Sequence, residues 1–579
     1  MKGYDPGDGA EGFDVVVLGA GAGGMAAASV AAAGGLRVLV VERTSEVGGT
    51  TAISGGMVWV PNNHHLREAG LADSEDAARA YLDATVADPA GRDLRDAYLA
   101  EAPRAIDHLE RTTALRLQPV AVYPDYYPAA PGATTGGRVL EPVPFDGAEL
   151  GDAFARLRRP LDAMTLLGGM MVARQDIPHF RKVFRSARST GRVVALVGRY
   201  ALQRLRHPRG THLVLGNALA GRLLKSLIDL QVPILTDTEA RGLLVEDGRI
   251  AGVRIGNGQA ESSIRARLGV VLATGGFSHD PERRRACLPL EAADVSATAP
   301  GARGDGIRLG LAAGATFETG NANNAFWTPA SVLEAADGRR VVFPHTVTDR
   351  SKPGVIAVDA SGQRFTNEAR SYQEFVLAMF RAHRERPSIP AYLVCDRRFL
   401  WTYGLGAVRP FSLRLAPYRA AGYLAEGRSL EDLANRLGID ARGLATTVAA
   451  YNAEAVHGRD PAFGRGGDAY QRHLGDADHR PNPCVAPIAT PPFYAVALVP
   501  ADLGTAAGLR TNAEAQVLDD GGRPIPGLYA AGNDMNSIMR GSYPGPGITL
   551  GPALTFGYLA AAHMLAAAGR PVAADREGG

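Results

Sequence analysis

Residues Phe13 to Glu42 constrain the fold more tightly than any other stretch of this 579-residue chain. Phe13-Asp14-Val15-Val16-Val17-Leu18 is a short branched apolar run, the pattern of a strand buried on both faces. It feeds Gly19-Ala20-Gly21-Ala22-Gly23-Gly24 and then an alanine-rich segment that reads as helix to about Ala33. A second strand, Arg37 to Val41, ends at Glu42. Gly19, Gly21 and Gly24 have G-x-G-x-x-G spacing, which serves a tight turn, close approach of a pyrophosphate, and close packing of helix on strand. A carboxylate at Glu42 is placed to accept from ribose hydroxyls. Glycines alone would be explained by a helix-packing turn. Strand, turn, helix, strand and terminal acid in that order predict a dinucleotide site in an α/β fold.

A run near the C-terminus points to chemistry. Ser542-Tyr543-Pro544-Gly545-Pro546-Gly547-Ile548-Thr549-Leu550 joins a phenol to a glycine-rich turn just before an apolar helix. The Tyr543 hydroxyl and the Gly547 N–H can donate to one carbonyl oxygen, as in an oxyanion hole. By itself the run could also be a rigid start to a helix.

Composition narrows the class. The chain is 46% hydrophobic and 21% charged, with 62 basic and 60 acidic residues and net charge +2, so no global field points to nucleic acid. Cys287, Cys395 and Cys484 lie far apart and form no C-x-x-C or His-paired cluster, so neither a disulfide framework nor a metal site is expected. A reducing, cytoplasmic compartment follows. No apolar leader stands at the N-terminus, and no stretch of 18 clean apolar residues is apparent.

Three further segments resemble FAD proteins. Arg43-Thr44-Ser45-Glu46-Val47-Gly48-Gly49-Thr50-Thr51-Ala52-Ile53-Ser54-Gly55-Gly56 is a glycine–hydroxyl loop just after the ribose acid. Val270 to Phe277 resembles the ATGG strand of these proteins. Leu528-Tyr529-Ala530-Ala531-Gly532-Asn533-Asp534 resembles their C-terminal strand, ending in an acid near the cofactor. The resemblance implies non-covalent FAD held by Gly19, Gly21, Gly23, Gly24, Glu42, Arg43, Gly48, Gly49, Thr50, Thr51, Ser54, Gly55, Thr274, Gly275, Asp305, Gly532, Asn533, Gly547, Thr549 and Leu550. These pieces are far apart in sequence. The expected architecture is a discontinuous Rossmann-type FAD-binding domain, residues 11–326 and 503–579, with an inserted α+β substrate (cap) domain at 327–502.

Asp359 to Glu368 and the 451–466 region resemble the cap of fumarate-reductase-like flavoproteins. Within that superfamily the chain resembles the 3-ketosteroid Δ1-dehydrogenases over roughly 11–150 and 211–570. The likeness rests on Tyr123-Pro124-Asp125-Tyr126-Tyr127-Pro128, Asn367-Glu368-Ala369-Arg370-Ser371-Tyr372 and the Ser542 to Gly547 run. Desaturation next to a ketone needs a polarised carbonyl and a base in a dry pocket. A buried carboxylate would be costly there, and a tyrosine with a lowered pKa is an alternative. The resemblance implies Tyr372 as base, Tyr126 as its supporting hydroxyl, and Tyr543 with Gly547 as the oxyanion donors. Tyr123 and Tyr127 share the Tyr126 motif and leave its register open. His279 and His473 lie outside the matched motifs and read as surface or loop residues. A 3-ketosteroid substrate and an external acceptor, a quinone among the candidates, are the implied partners. The alternatives are a Δ4-(5α)-dehydrogenase and, from another class, a non-catalytic flavin and steroid binder.

Residues 151–210 hold 12 arginines and Lys182 against Asp152, Asp162 and Asp176, a local net charge of +10 in a chain of +2. Arg181, Arg185, Arg188, Arg192, Arg199 and Arg206 recur at helical intervals, opposite an apolar arc of Val183, Ala187, Val194, Val197, Ala201 and Leu205. Gly191 and Gly198 leave open one helix or two. The segment reads either as a solvated face over a core-packed stripe or as a peripheral contact with an anionic membrane. No aromatic stacking pattern interleaves the arginines, so nucleic acid is not expected.

Overall fold

The computed structural model describes residues 12–572 except 87, 185, 257–260, 293 and 336. The valine run forms the strand Phe13–Leu18 at the centre of a parallel sheet, flanked by Val38–Val41 on one side and Glu261–Leu272 on the other. Ile234–Leu235 extends one edge, and Pro524–Ala530 joins the far end of Glu261–Leu272, also in parallel. The Glu261–Leu272 strand changes character along its length. Residues 261–265 alternate buried and exposed and pair antiparallel with Arg249–Gly256, whereas 268–272 are buried throughout and lie between two parallel neighbours. Continuous burial is what a strand covered on both faces requires.

The helix Ala22–Ala33 packs against the last helix, Leu550–Ala567. Glycines allow the approach: a Cβ on Gly557 would meet the Gly23 carbonyl at 2.5 Å. Leu550–Ala567 corrects the reading that no stretch is long and apolar enough to cross a bilayer, since by length and composition it is. Here it is a core helix, 67% of it buried in the protein.

A second, antiparallel sheet is built from residues 325–505. Its order is Arg340–Pro344, Ala325–Glu334, Phe493–Thr505, Ala391–Asp396, Val355–Val358, with Ala425–Gly427 also on Phe493–Thr505. The helix Tyr372–Glu385 lies across Ala325–Glu334. The two sheets are tied where Asp502 accepts from Ser278 Oγ at 2.6 Å and pairs with the buried Arg284.

In the basic segment, Ala187–Arg204 is one helix that runs through both glycines. The arc of Val183, Ala187, Val194, Val197, Ala201 and Leu205 is half-buried or exposed throughout, so of the two readings the core-packed stripe does not hold. Ser189, Val193 and Tyr200 face inward, and Tyr200 donates to the Leu167 carbonyl at 2.9 Å, while Val194 and Leu205 are 64% and 80% exposed. The short hairpin Thr165–Leu166/Met170–Met171 meets the inward face at Tyr200, a contact that arginine spacing does not reveal. Arg192 pairs with Asp176, Arg188, Arg199 and Arg206 are exposed, and Arg185 lies outside the described residues.

Candidate active site

One cleft of about 1830 Å³ of empty space, its open mouth included, runs from the end of the parallel sheet to the second sheet. At one end Glu42 accepts from Ala20 N–H at 3.0 Å and from Thr44 N–H at 2.9 Å. Arg43 pairs with Asp305 and with Glu239. Thr51 Oγ1 accepts from Ala22 N–H at 3.1 Å, which sets the 48–56 loop against the first turn of Ala22–Ala33. Thr274, Gly275, Gly532, Asn533, Thr549 and Leu550 line the middle.

Of the residues expected to hold a dinucleotide, Gly24 and Gly48 stand outside this lining. Their roles are internal. A Cβ on Gly24 would fall 2.0 Å from the Gly19 carbonyl oxygen, and one on Gly48 would lie 2.8 Å from Ala52 Cβ. Asp534, the acid of the last strand, is also away from the lining. It accepts from the N–H groups of Thr274 and Gly276, and burial pushes it up to about 6.

At the other end three tyrosines converge. The Tyr126 hydroxyl donates to the Tyr372 oxygen at 2.9 Å, and the Tyr543 ring lies 5.1 Å from Tyr372 and stacks 5.8 Å from Tyr126. Of the three tyrosines in the 123–127 motif, Tyr126 meets Tyr372. Tyr127 donates to Glu374 at 3.0 Å, and Tyr123 packs on His473. Local structure holds the group. Ser371 caps the Tyr372–Glu385 helix, so Tyr372 leads it, and Gln373 donates to the Gly541 carbonyl at 3.1 Å beside the Tyr543 turn. Tyr126 N–H donates to Pro544 at 3.0 Å. Gly547 has φ +94°, and a Cβ there would strike the backbone of Met57 and Trp59. No acceptor among the described residues takes the Gly547 N–H. Burial raises Tyr126 and Tyr372 well above the usual phenol value, and raises Tyr543 too.

The sequence reading missed several contributors. Leu161 and Met164 of the basic segment line the cleft, with Met57, Pro344, Val347 and Leu503. The Tyr470 ring lies 4.6 Å from Tyr126 at a tilt of 49°, and Phe326 lies edge-on to Tyr543. His473 is half-buried beside Tyr123 rather than at the surface, and burial brings it down to about 4. His279 is half-buried too, bonded to the Thr298 carbonyl. No local spacing marks these residues, which converge from separate strands, helices and loops. Elsewhere His64 and His65 share Glu110 Oε2 at 3.2 and 2.8 Å. Burial would raise that carboxyl, and the two imidazoles bring it to about 2.

The family described as FAD binding domain matches residues 14–550. A 3-oxosteroid 1-dehydrogenase from Mycobacterium tuberculosis is 38% identical over 573 residues, covering 96% of this chain and 99% of that protein. The chain belongs to the 3-oxosteroid 1-dehydrogenase family of FAD-binding proteins. Within that family, the 3-ketosteroid delta1-dehydrogenase of Sterolibacterium denitrificans, solved in complex with 1,4-androstadiene-3,17-dione, matches with TM-score 0.89 and 38% identity over 96% of this chain and 99% of that one. A 4-oxocyclohex-2-ene-1-carboxylate 5-dehydrogenase from Sinomonas cyclohexanicum is also 38% identical, over 94% of this chain and 92% of its own length. As a member of the family the chain is an FAD-dependent oxidoreductase, and the cleft fits the cofactor. Gly21 and Gly55 border it with nothing within 4 Å of where a Cβ would stand, and Gly21 precedes a helix start with no side-chain cap. Glu42→Ala is expected to weaken FAD retention, since it removes the carboxylate that accepts from Ala20 and Thr44 N–H groups at the cleft. Full flavin occupancy of that variant after extensive dilution would count against the Glu42 assignment.

Proposed function

We propose that this enzyme introduces the C1=C2 double bond into ring A of a 3-ketosteroid. The observation that carries the reading is the Tyr126–Tyr372 hydrogen bond beside Tyr543 and the unengaged N–H of Gly547 in one cleft. Tyr543 O–H and Gly547 N–H receive the charge that develops on the C3 carbonyl oxygen, which acidifies the C2 hydrogens. The Tyr372 oxygen takes the C2 proton, and Tyr126 stabilises the phenolate by donating to it. FAD, when bound, supplies the acceptor for the hydride that leaves C1.

The cleft wall favours a steroid substrate. Met57, Leu161, Met164, Pro344, Val347 and Leu503 give the cleft an apolar wall, which suits a fused-ring substrate better than a small carboxylate. The second reading, a monocyclic oxocyclohexane carboxylate, is favoured by the equal identity to the Sinomonas enzyme. Catalytic efficiency on the two substrate types separates them, and a higher value for the monocyclic acid would overturn the steroid reading.

We further propose that the basic segment attaches the enzyme peripherally to anionic membrane. Phe184, Val194, Leu202 and Leu205 are exposed apolar side chains interspersed with the exposed Arg188, Arg199, Arg204 and Arg206. Each basic residue at such a surface contributes on the order of 1 kcal/mol, screened within about 8 Å at physiological salt. The arrangement would bring a lipid-dissolved substrate, and a quinone acceptor, close to the cleft that Leu161 and Met164 border. Sedimentation with anionic vesicles is expected to fall as salt rises, and to be lost when Phe184, Leu202 and Leu205 are all changed to serine. Equal sedimentation of wild type and triple variant would contradict attachment through this helix.

A further inference from the structure

Burial works against a tyrosine base, since it raises Tyr126 and Tyr372 rather than lowering them. A positive charge nearby would offset this, and Arg350 is placed to supply it. Its side chain is buried, the residue only 1% exposed, and it is caged by carbonyl oxygens. Nε donates to His345 at 2.6 Å, one terminal nitrogen to Glu368 at 2.7 Å and Arg370 at 3.1 Å, and the other to Thr346 at 2.9 Å. The Arg370 carbonyl belongs to the turn that leads directly into Tyr372. The guanidinium also lies over the Phe375 ring, 5.2 Å from its centroid, on the helix that Tyr372 begins.

Among the described residues no carboxylate ion-pairs with this guanidinium. The acids around it are engaged elsewhere. Asp349 Oδ2 meets His345 Nδ1 at 2.7 Å and Gly406 N–H at 3.0 Å, while its Oδ1 takes only the backbone N–H of Arg350. Glu368 pairs with Arg364 at 2.8 Å and with Arg465 at 3.2 Å. Arg465, a like charge, donates to the Arg350 and Lys352 carbonyls, and Lys352 donates to Leu474 and Gly475. Tyr470 and Tyr126 are among the ionisable groups whose charge would favour the Arg350 cation. The Tyr470 hydroxyl is buried with no hydrogen-bond partner among the described residues, its ring against Tyr126. A buried cation without a paired anion is costly, and the cost falls when an anion forms close by.

We propose that Arg350 is the resident counter-cation of the Tyr126–Tyr372 pair and sets the pH at which that pair can act as a base. This rests on the reading of Tyr372 as the base. Arg350 is a positioning residue: it acts through the tyrosines and keeps its own charge throughout. The pair first loses one proton to solvent. The C2–H bond then breaks, its proton forms the Tyr372 O–H, and the electron pair passes into the substrate enolate.

The test is exchange of the C2 hydrogens of 4-androstene-3,17-dione with deuterated water. It uses holoenzyme whose flavin has been reduced beforehand, so that no hydride can leave, across a pH series. Wild-type exchange is expected to rise with pH about a midpoint below the ordinary phenol value of about 10. R350Q keeps donors for the carbonyl cage but not the charge, and is expected to raise the midpoint by about one pH unit or more, a tenfold loss of exchange below it. R350K is expected to restore most of that shift. Loss of amplitude in both variants with no shift would make Arg350 a merely structural residue and overturn the proposal. So would a wild-type midpoint at or above about 10, a result that requires no variant to fold. Absence of exchange at any pH in the wild type would instead overturn the reading of Tyr372 as base, and this proposal with it.

Discussion

Replacing Tyr372 with phenylalanine is expected to lower steroid-dependent flavin reduction by roughly 10²–10⁴-fold, the range for removing a positioned acid or base. The change deletes one oxygen from a ring that is buried and packed on two others, Tyr126 and Tyr543, so the fold and the flavin should remain. Exchange of the C2 hydrogens with solvent should disappear together with reduction. Proton removal precedes or accompanies departure of the hydride, and a missing base stops both. Reduction at the wild-type rate would move the base elsewhere, first to Tyr126, whose hydroxyl donates to Tyr372.

Tyr543→Phe is expected to cost roughly 10²–10³-fold in turnover, or about 2.7–4 kcal/mol, with a smaller effect on steroid affinity. The asymmetry follows from where the bond matters. The hydroxyl is worth most when charge has moved onto the carbonyl oxygen, whereas affinity comes mainly from apolar burial along the wall that Met164 and Val347 border. Gly547 N–H remains in the variant, so some polarisation survives. Separate measurement of kcat and of steroid dissociation checks this, and a loss confined to affinity would contradict an oxyanion role.

The parts of this fold legible in sequence are those whose physics is local. Three adjacent valines in a strand, glycines at fixed offsets before a helix, and an acid at the end of the next strand each act on near neighbours in sequence, and the Phe13–Leu18, Ala22–Ala33, Val38–Val41 unit follows from them. Gly24 and Gly48 show the limit of such spacing: the position matters, but for packing inside the turn rather than for contact with the cleft. The inward face of Ala187–Arg204 could not be read from spacing for a related reason. Charge spacing identifies a polar stripe, yet which remaining side is covered depends on a hairpin that folds back from residues 165–171. Arg350 left no sequence signal at all. Its cage draws on His345, Thr346, Glu368 and Arg370, and only the tertiary fold brings those carbonyls together.

The central claim is that the cleft desaturates a 3-ketosteroid by passing a hydride to the flavin. Anaerobic mixing of the FAD-loaded protein with 4-androstene-3,17-dione tests it most directly, with flavin absorbance followed in time and the steroid recovered afterwards. Bleaching of the oxidised flavin and recovery of 1,4-androstadiene-3,17-dione in stoichiometric amount are expected. A flavin that stays oxidised while the steroid binds, or that bleaches only with a monocyclic oxocyclohexane carboxylate, would contradict it.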